Sequence, residues 1–101
     1  MKVRFTDSAG ADIDEAWNWY STRSAEAASR LLDDVVAARN LIGEYPRAWK
    51  HLGNNVRLCQ LKRFPYGIVY IVAPDEIIVV GVGHLRRGPA YWNALMRRPQ
   101  A

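Results

Sequence analysis

The stretch "VRLCQLKRFPYGIVYIVAPDEIIVVGVGH", residues 56–84, decides the fold, because here the apolar residues stop recurring at helical spacing and form strand-like runs. Three runs rich in β-forming residues follow one another, at residues 56–64, 66–72 and 76–84. The last two are joined by "APD", whose proline and aspartate are typical of a turn. Both are apolar at nearly every position, so we expect strands in the middle of a sheet or covered on both faces.

A short strand and a helix are expected upstream. Residues 2–6, "KVRFT", alternate apolar and charged side chains, as a short strand does. Asp7 or Ser8 is suited to cap the helix that follows. The apolar residues at helical spacing predict its buried face, which is Ala9, Ile13, Ala16, Trp17 and Tyr20. We expect the acidic residues Asp12, Asp14 and Glu15 on its outside.

A second helix is expected from a cap at Ser24 to about Ile42, with Gly43 placed to end it. Its predicted apolar stripe is Ala28, Leu31, Leu32, Val35, Ala38 and Ile42. The short connection between the two helices predicts an antiparallel hairpin. Residues 44–55, "EYPRAWKHLGNN", then predict a loop.

The last strand leads into "VGHLRRGPAYW", residues 82–92, and a final short helix. Gly81 and Gly83 near the end of the strand predict a bend or the close approach of another element. Pro89 suits the first turn of a helix, which we expect over residues 90–98. The predicted order is β-α-α-β-β-β-α, an α+β fold in one domain.

The composition is that of an ordinary globular domain, with 50% hydrophobic and 24% charged residues. No apolar run approaches the roughly 20 residues that cross a bilayer, and the first residues lack the apolar core of a secretion signal. The single cysteine, Cys59, excludes an internal disulfide, and we expect a small core residue rather than a nucleophile. We therefore expect one cytoplasmic domain, residues 1–101, with no membrane contact, cofactor or metal.

The positive charge is concentrated in the second half of the chain. Residues 1–50 carry seven Lys and Arg against eight Asp and Glu, whereas residues 51–101 carry seven against two. Six of these seven are arginines, whose forked guanidinium groups suit phosphates and carboxylates. A nucleic acid or an acidic protein is the expected partner, the alternative being a basic surface that only favours solubility.

Several segments together resemble a known family. The first helix carries an "A…D…A…WY" pattern, at Ala9, Asp12, Ala16, Trp19 and Tyr20. Pro46 lies in the loop, "VRLCQLKRFPYGIVY" spans the second and third predicted strands, and "VGVGHLRRGPAYW" joins the last strand to the final helix. In this order they resemble the RelE/ParE superfamily of bacterial toxins, and above all its ParE (plasmid-stabilisation) branch.

The resemblance implies a helical hairpin packed on a curved antiparallel sheet, with a short C-terminal helix. It also implies a cognate antitoxin, encoded nearby, whose C-terminal segment wraps the toxin. The two branches of the superfamily are similar in fold but differ in action. RelE-like toxins cut messenger RNA on the ribosome, whereas ParE-like toxins inhibit DNA gyrase and lack nuclease activity.

The nuclease chemistry requires cations that this sequence lacks. Metal-free RNA cleavage needs a base for the 2′-hydroxyl, cations for the pentacovalent phosphate and a proton for the leaving oxygen. The RelE-like branch carries two lysines on the second strand, arginines after the tyrosine that opens the third strand and after the fourth strand, and a tyrosine in the terminal helix. These positions here are Leu58, Gln60, Gly67, Leu85 and Tyr91. Only Tyr91 matches, although Arg86 and Arg87 follow Leu85 directly.

The candidate site residues cluster around the end of the last strand. If the chain is a nuclease, its catalytic residues are His84, Arg86, Arg87 and Tyr91. The candidates for binding the target or the antitoxin are Arg57, Arg63, Arg86, Arg87, Tyr91, Trp92 and Trp19. For His84 we favour a hydrogen bond at the strand end over catalysis, and for Arg57 pairing with a carboxylate of the helical hairpin.

Two further predictions concern packing and exposure. We expect Trp92 and Leu95 to dock the last helix on the sheet, and Arg97 and Arg98 to form a solvated tail. Trp17 and Trp19 cannot share one helix face. An exposed tryptophan such as Trp19, close to the arginines, would suit an antitoxin with apolar and acidic residues.

The sequence thus predicts the toxin of a type II toxin–antitoxin module that inhibits DNA gyrase by binding. A ribosome-dependent messenger-RNA endonuclease is the enzymatic alternative. A basic binding domain without toxicity is the third.

Overall fold

The computed structural model describes residues 1–101 and contains three helices and five strands. In chain order these are β1 (Val3–Phe5), α1 (Asp7–Ser21), α2 (Ala25–Glu44), β2 (Lys50–Gly53), β3 (Val56–Gln60), β4 (Tyr66–Val72), β5 (Ile77–His84) and α3 (Pro89–Met96). None of the helices combines the length and the apolar character that crossing a membrane requires. The predicted α+β fold, with a helical hairpin on a sheet and a short last helix, is confirmed.

The strands form one sheet in the order β1-β5-β4-β3-β2. The three pairs β2–β3, β3–β4 and β4–β5 are antiparallel, as predicted for the sheet, but β1 runs parallel to β5, so the sheet is mixed. Strand β2 lies where the sequence predicted only a loop, and it forms a hairpin with β3. The turn of this hairpin places Gly53 and Asn54 at positive φ, of 124° and 49°. Both residue types tolerate that conformation.

The larger core lies between the sheet and the α1–α2 hairpin. Of the eleven predicted apolar positions of the hairpin, seven are buried, Ile13 and Tyr20 are partly buried, and two are exposed. Trp17 is 39% exposed and Leu32 is 40% exposed, because each lies at the margin of its helix stripe rather than at its centre. Strands β4 and β5 are buried along almost their whole length, as their unbroken apolar sequence predicted.

The bounds of all three helices differ from the sequence prediction, and α3 spans Pro89–Met96 instead of residues 90–98. Helix α1 is capped by Thr6, whose Oγ1 accepts from the Ala9 N–H at 3.1 Å, and not by Asp7 or Ser8. The cap at Ser24 is confirmed. Helix α2 continues through Gly43 and ends at Glu44. The small size of Gly43 lets the N-terminal residue approach the helix, since a Cβ at this position would lie 3.2 Å from the Met1 carbonyl oxygen.

A bulge in β5 changes which face of the sheet the following side chains point to. Val69 of β4 pairs with Gly81 and Tyr70 pairs with Val79, so Val80 is the extra residue. The bulge places both Val80 and Gly81 toward α3, while Val79 and Val82 face the helical hairpin.

Helix α3 packs on the second face of the sheet through the two glycines of β5. Leu95 is buried against Gly81, and a Cβ at Gly81 would overlap the Leu95 side chain. A Cβ at Gly83 would lie 2.6 Å from Cε2 of Tyr91. The predicted close approach at these glycines is confirmed.

We expect Gly81→Ala to lower the free energy of unfolding by about 1–3 kcal/mol, because the added methyl group collides with Leu95. Gly10→Ala is the matched control. Gly10 lies in α1 with open space around its Cα, so alanine there should stabilise the helix by about 0.5–1 kcal/mol. Urea unfolding of both variants measures the difference. Equal midpoints for Gly81→Ala and the wild type would show that α3 is not seated on this glycine.

Two buried acids predict a loss of stability at alkaline pH. Burial raises the pKa of Cys59 from its usual 9.0 to about 11, and that of Tyr70, whose hydroxyl donates to the Pro46 carbonyl, from 10.0 to about 12. Both pKa values are higher in the folded than in the unfolded chain. The stabilisation is therefore complete below about pH 9 and is lost as the pH rises toward 12, by roughly 3 kcal/mol per group.

Urea unfolding over this pH range tests the loss, with Cys59→Val as the informative variant. It should remove the part of the pH dependence between about pH 9 and 11, and it should also reduce the Tyr70 part, because the charge of Cys59 contributes to the raised pKa of Tyr70. An unfolding free energy that stays constant through this range in the wild type would contradict the assignment.

Candidate functional site

A cleft of about 440 Å³ opens between α1, the ends of β4 and β5, and the start of α3. We call it the aromatic cleft. Its walls include four rings, those of Trp19, Tyr66, His84 and Tyr91, and four charged groups, those of Asp12, Glu15, Arg87 and Arg98. It is the place where the last strand, the first helix and the last helix meet.

An ion pair forms one end of the cleft. Strand β1 pairs with β5 only through Val79, so the edge of β5 beyond that residue has no neighbouring strand on this side. Asp12 Oδ2 accepts from the Val82 N–H at 2.9 Å, and Arg98 Nη1 donates to the Val80 carbonyl at 3.1 Å. The two side chains also bind each other, with Arg98 Nη1 2.6 Å from Asp12 Oδ2. They thus supply the partners that β1 would have provided.

The contact with Asp12 stabilises the charged form of the Arg98 guanidinium. The side-chain hydrogen bond to Asp12 raises the pKa of Arg98 above its usual value. Both side chains are largely shielded from solvent, and the pair also binds main-chain atoms. It is therefore more than a surface ion pair, whose contribution is about 0–1 kcal/mol.

Two arginines stack on rings at opposite walls of the cleft. The guanidinium carbon of Arg23 lies 3.7 Å from the ring centre of Trp19, and that of Arg87 lies 4.0 Å from the ring centre of Tyr91. The backbone of Arg87 is fixed as well, because the indole N–H of Trp92 donates to its carbonyl at 3.0 Å. These cation–π contacts hold both guanidinium groups in place. Arg23 Nη1 also donates to the Trp19 carbonyl at 2.7 Å, so Arg87 is the arginine whose N–H groups stay available to a partner.

The tyrosines of the cleft are proton donors at neutral pH. Burial is the main cause that raises the pKa of both Tyr66 and Tyr91. Tyr20 and then Glu15 raise the pKa of Tyr66 further, whereas for Tyr91 the charge of Asp12 raises the pKa and the charges of Arg87 and Arg98 lower it. His84 packs edge-on against Tyr66, with ring centres 5.2 Å apart. Its Nδ1 accepts from the Arg86 N–H at 3.1 Å, which leaves Nε2 as the ring donor. This contact is the hydrogen bond at the strand end that we favoured for His84.

The arrangement suits recognition of polar and aromatic groups. The two carboxylates and two guanidinium groups sum to zero formal charge, and one of each is engaged in the Asp12–Arg98 pair. Arg87, the two tyrosine hydroxyls and His84 Nε2 offer hydrogen-bond donors, and Glu15 offers an acceptor. The chain contains no group of three or more His, Cys, Asp or Glu side chains that could hold a metal ion.

Four of the residues selected from the sequence meet in this cleft: Trp19, His84, Arg87 and Tyr91. Trp19 is 51% exposed, which suits the role proposed for it. Arg86 lies outside the cleft lining, and its side chain points into solvent. Trp92 packs against the second face of the sheet, as expected for a residue that docks α3.

The other two selected arginines have structural partners. Arg57 Nη1 donates to the carbonyls of Arg47 and Trp49, so its partner is the loop before β2 and not a carboxylate of the hairpin. The carboxylate contact belongs instead to Arg63, whose Nε lies 2.9 Å from Oδ1 of the buried Asp34. Arg63 also donates its backbone N–H to Asp34, which ties the β3–β4 connection to α2.

Three charged residues of the cleft escaped the sequence reasoning. Asp12 and Glu15 were assigned to the outside of α1, and Arg98 to a solvated tail. The prediction for Asp12 and Arg98 is wrong, because both side chains turn inward to the open edge of β5. The signal for Asp12 is its place in the "A…D…A…WY" pattern of α1, and Arg98 has no comparable signal.

A second depression, of about 350 Å³, lies on the other face of the sheet, beside α3. We call it the open-face groove. Its lining is Lys50, Leu52, Leu58, Gln60, Leu85, Trp92 and Met96. Two of these residues meet at Gly67, where a Cβ would lie 2.6 Å from Leu58 Cδ1 and 3.2 Å from Leu85 Cδ2. Positions 58, 67 and 85 therefore form one apolar cluster.

Comparison with solved structures shows the same fold in two kinds of toxin. The chain is similar to a toxin–antitoxin structure described as the chromosomal ParDE system from P. aeruginosa, with a TM-score of 0.72 and 23% identity over 83% of this chain and 95% of that one. It is also similar to the isolated E. coli RelE toxin, with a TM-score of 0.52 and 23% identity over 95% and 96% of the two chains. A mutant of the RelE toxin in the free state gives a TM-score of 0.56 and 20% identity over 97% of each chain.

At these identities the structural matches establish the fold alone. No curated protein matches the sequence. The family model described as the ParE toxin of the type II toxin–antitoxin system parDE matches residues 3–89, which is most of the chain. The protein therefore belongs to the ParE toxin family of type II toxin–antitoxin systems.

Proposed function

We propose that this chain is a cytoplasmic toxin that inhibits DNA gyrase by binding to it, and that a cognate antitoxin neutralises it. In this proposal the chain performs no reaction of its own on nucleic acid. The membership in the ParE toxin family supports two parts of the proposal, the role as a toxin and the protein antitoxin. The choice of gyrase over the ribosome depends on the composition of the two depressions.

The observation that supports this choice is the apolar cluster of Leu58, Gly67 and Leu85. The resemblance to the RelE-like branch assigns a cation to each of these three positions. Here the side chains of Leu58 and Leu85 occupy the space next to the Gly67 Cα that a side chain at position 67 would need. Neutral side chains cannot offset the charge of a pentacovalent phosphate, and the surface is left without the main requirement for cutting RNA.

The charge of the aromatic cleft supports the same conclusion. A scissile phosphodiester in this cleft would meet the carboxylates of Asp12 and Glu15 as well as the guanidinium of Arg87. Arg98 is already bound to Asp12 and to a backbone carbonyl. A cleft without net positive charge favours a peptide of mixed character over an RNA backbone.

The aromatic cleft also suits the antitoxin. Trp19 presents a large apolar surface at one wall, and Arg87 stacks on Tyr91 at the other. A wrapping segment with apolar residues on Trp19 and acidic residues on Arg87 would match both walls.

A messenger-RNA endonuclease is the second candidate, and one observation favours it. His84, Arg87 and Tyr91 line the same cleft, so an imidazole, a cation and a phenol hydroxyl are close together, although the lone pair at His84 Nδ1 already accepts from the Arg86 N–H. Against it stand the two carboxylates of that cleft and the apolar cluster on the other face.

Activity assays on the purified chain separate the candidates. We expect inhibition of supercoiling by DNA gyrase and relief of that inhibition when the antitoxin is added in equal amount. We expect no site-specific cutting of transcripts on translating ribosomes. Cutting of transcripts, abolished by Tyr91→Phe, would establish the endonuclease instead. Normal growth of cells that express the chain without its antitoxin would favour a non-toxic binding domain.

We expect the double variant Trp19→Ala/Arg87→Ala to bind the antitoxin more than about tenfold more weakly, because interface hot spots of this type contribute roughly 2 kcal/mol or more. Calorimetric titration measures the affinity. The matched control is Trp17→Ala/Arg97→Ala, which removes an exposed tryptophan and an exposed arginine outside the cleft. An affinity equal to that of the wild type would remove the cleft from the antitoxin interface.

A further inference from the structure

The open-face groove is an apolar surface that no part of the chain covers. Helix α3 is eight residues long and packs mainly on β5, so the outer strands β2 and β3 are uncovered on this face. Five of the seven lining residues are apolar. Leu52, Leu58 and Met96 each retain part of their surface in contact with solvent.

The single charged residue of the groove lining is basic. No acidic residue lines it, and Lys50, its one charged residue, has no ion-pair or hydrogen-bond partner in the chain. The groove is built entirely from residues 50–96, and this half of the chain has only two acidic residues, Asp75 and Glu76. Glu76 is bound to Arg4 of β1. A partner with acidic residues is therefore electrostatically complementary to this face.

The outer wall of the groove is the edge strand of the sheet. Strand β2 pairs with β3 on one side and has no strand on the other. Lys50 and Leu52 alternate along it and both line the groove, whereas His51 between them does not. An extended peptide could add to this edge by main-chain hydrogen bonds while a side chain enters the groove.

We propose that the open-face groove is where the toxin holds its target, by taking a large apolar side chain from an extended acidic segment of gyrase. This inference rests on the proposed function and adds the surface and the chemistry of recognition. One nearby cation is too little charge for a nucleic acid, whereas an apolar floor with a basic rim fits a protein anchor. The exposed Trp19 and Arg87 lie on the other side of α3 and are assigned to the antitoxin, which leaves this groove for the target.

Acidic substitutions in the groove test the proposal. Leu52→Glu and Met96→Glu place a negative charge on the apolar floor, and Lys50→Glu reverses the rim charge. Each should raise the concentration for half-inhibition of gyrase supercoiling at least about tenfold, which is about 1.4 kcal/mol. Each should bind the antitoxin with the wild-type affinity. The control is Leu32→Glu, at a 40% exposed leucine of α2 outside the groove, and it should inhibit like the wild type.

A crosslinking experiment with a neutral probe avoids dependence on the acidic variants. Cys59 is 2% exposed, so a cysteine introduced as Leu52→Cys can be labelled selectively with a photoreactive maleimide. We expect illumination to join this chain to a gyrase subunit, and the same label at Leu32→Cys to give no such product.

The outcomes distinguish the two proposals. A wild-type chain that leaves supercoiling unaffected would contradict the proposed function and this inference with it. Groove variants that inhibit gyrase like the wild type, with no crosslink from position 52, would contradict the inference alone. Variants that lose the antitoxin but still inhibit gyrase would assign the groove to the antitoxin and overturn the inference.

Discussion

The free edge of β5 beyond Val79 is the constraint on which the site depends. Strand β1 is too short to accompany β5 to its end, and the exposed main-chain groups must find other partners. Asp12 from α1 and Arg98 from the segment after α3 provide them and bind each other. This one set of hydrogen bonds therefore fixes the first helix and the last segment of the chain against the same strand. The aromatic cleft is the space that remains between them.

Helix α3 divides the surface into two regions of different character. Its position follows from Gly81 and Gly83, which let Leu95 and Tyr91 approach the main chain of β5. Of two successive residues, Tyr91 lines the aromatic cleft and Trp92 lines the open-face groove. The cleft carries balanced charges, whereas the groove is apolar with a basic rim. The two depressions are therefore separate surfaces that differ in composition.

The fold was predictable from the sequence where the signal was local. The unbroken apolar runs of β4 and β5, the cap at Ser24 and the glycines under α3 all follow from residue types at short spacing. Strand β2 was not predictable, because the residues "KHLG" have little β-forming character. They are held in the strand conformation by their pairing with β3. Gly43 is of the residue type that often ends a helix, but here its small size makes room for the main chain of Met1, which is distant in sequence.

The candidate site was predictable only in part, for the same reason. Trp19, His84, Arg87 and Tyr91 belong to recognisable clusters of aromatic and cationic residues, and the structure brings them together. The pairing of Asp12 with Arg98 joins residues 86 positions apart, and no pattern in the sequence relates them. Arg57 and Arg63 are similar in sequence context, and only the tertiary structure shows that one binds carbonyls and the other a buried carboxylate.

The burial of Cys59 has a consequence for conditions that the host cell encounters. Oxidation to sulfenic acid or glutathionylation requires an accessible thiolate, and this thiol is neither accessible nor readily ionised. Peroxide would therefore leave the Cys59 thiol unmodified for as long as the chain stays folded.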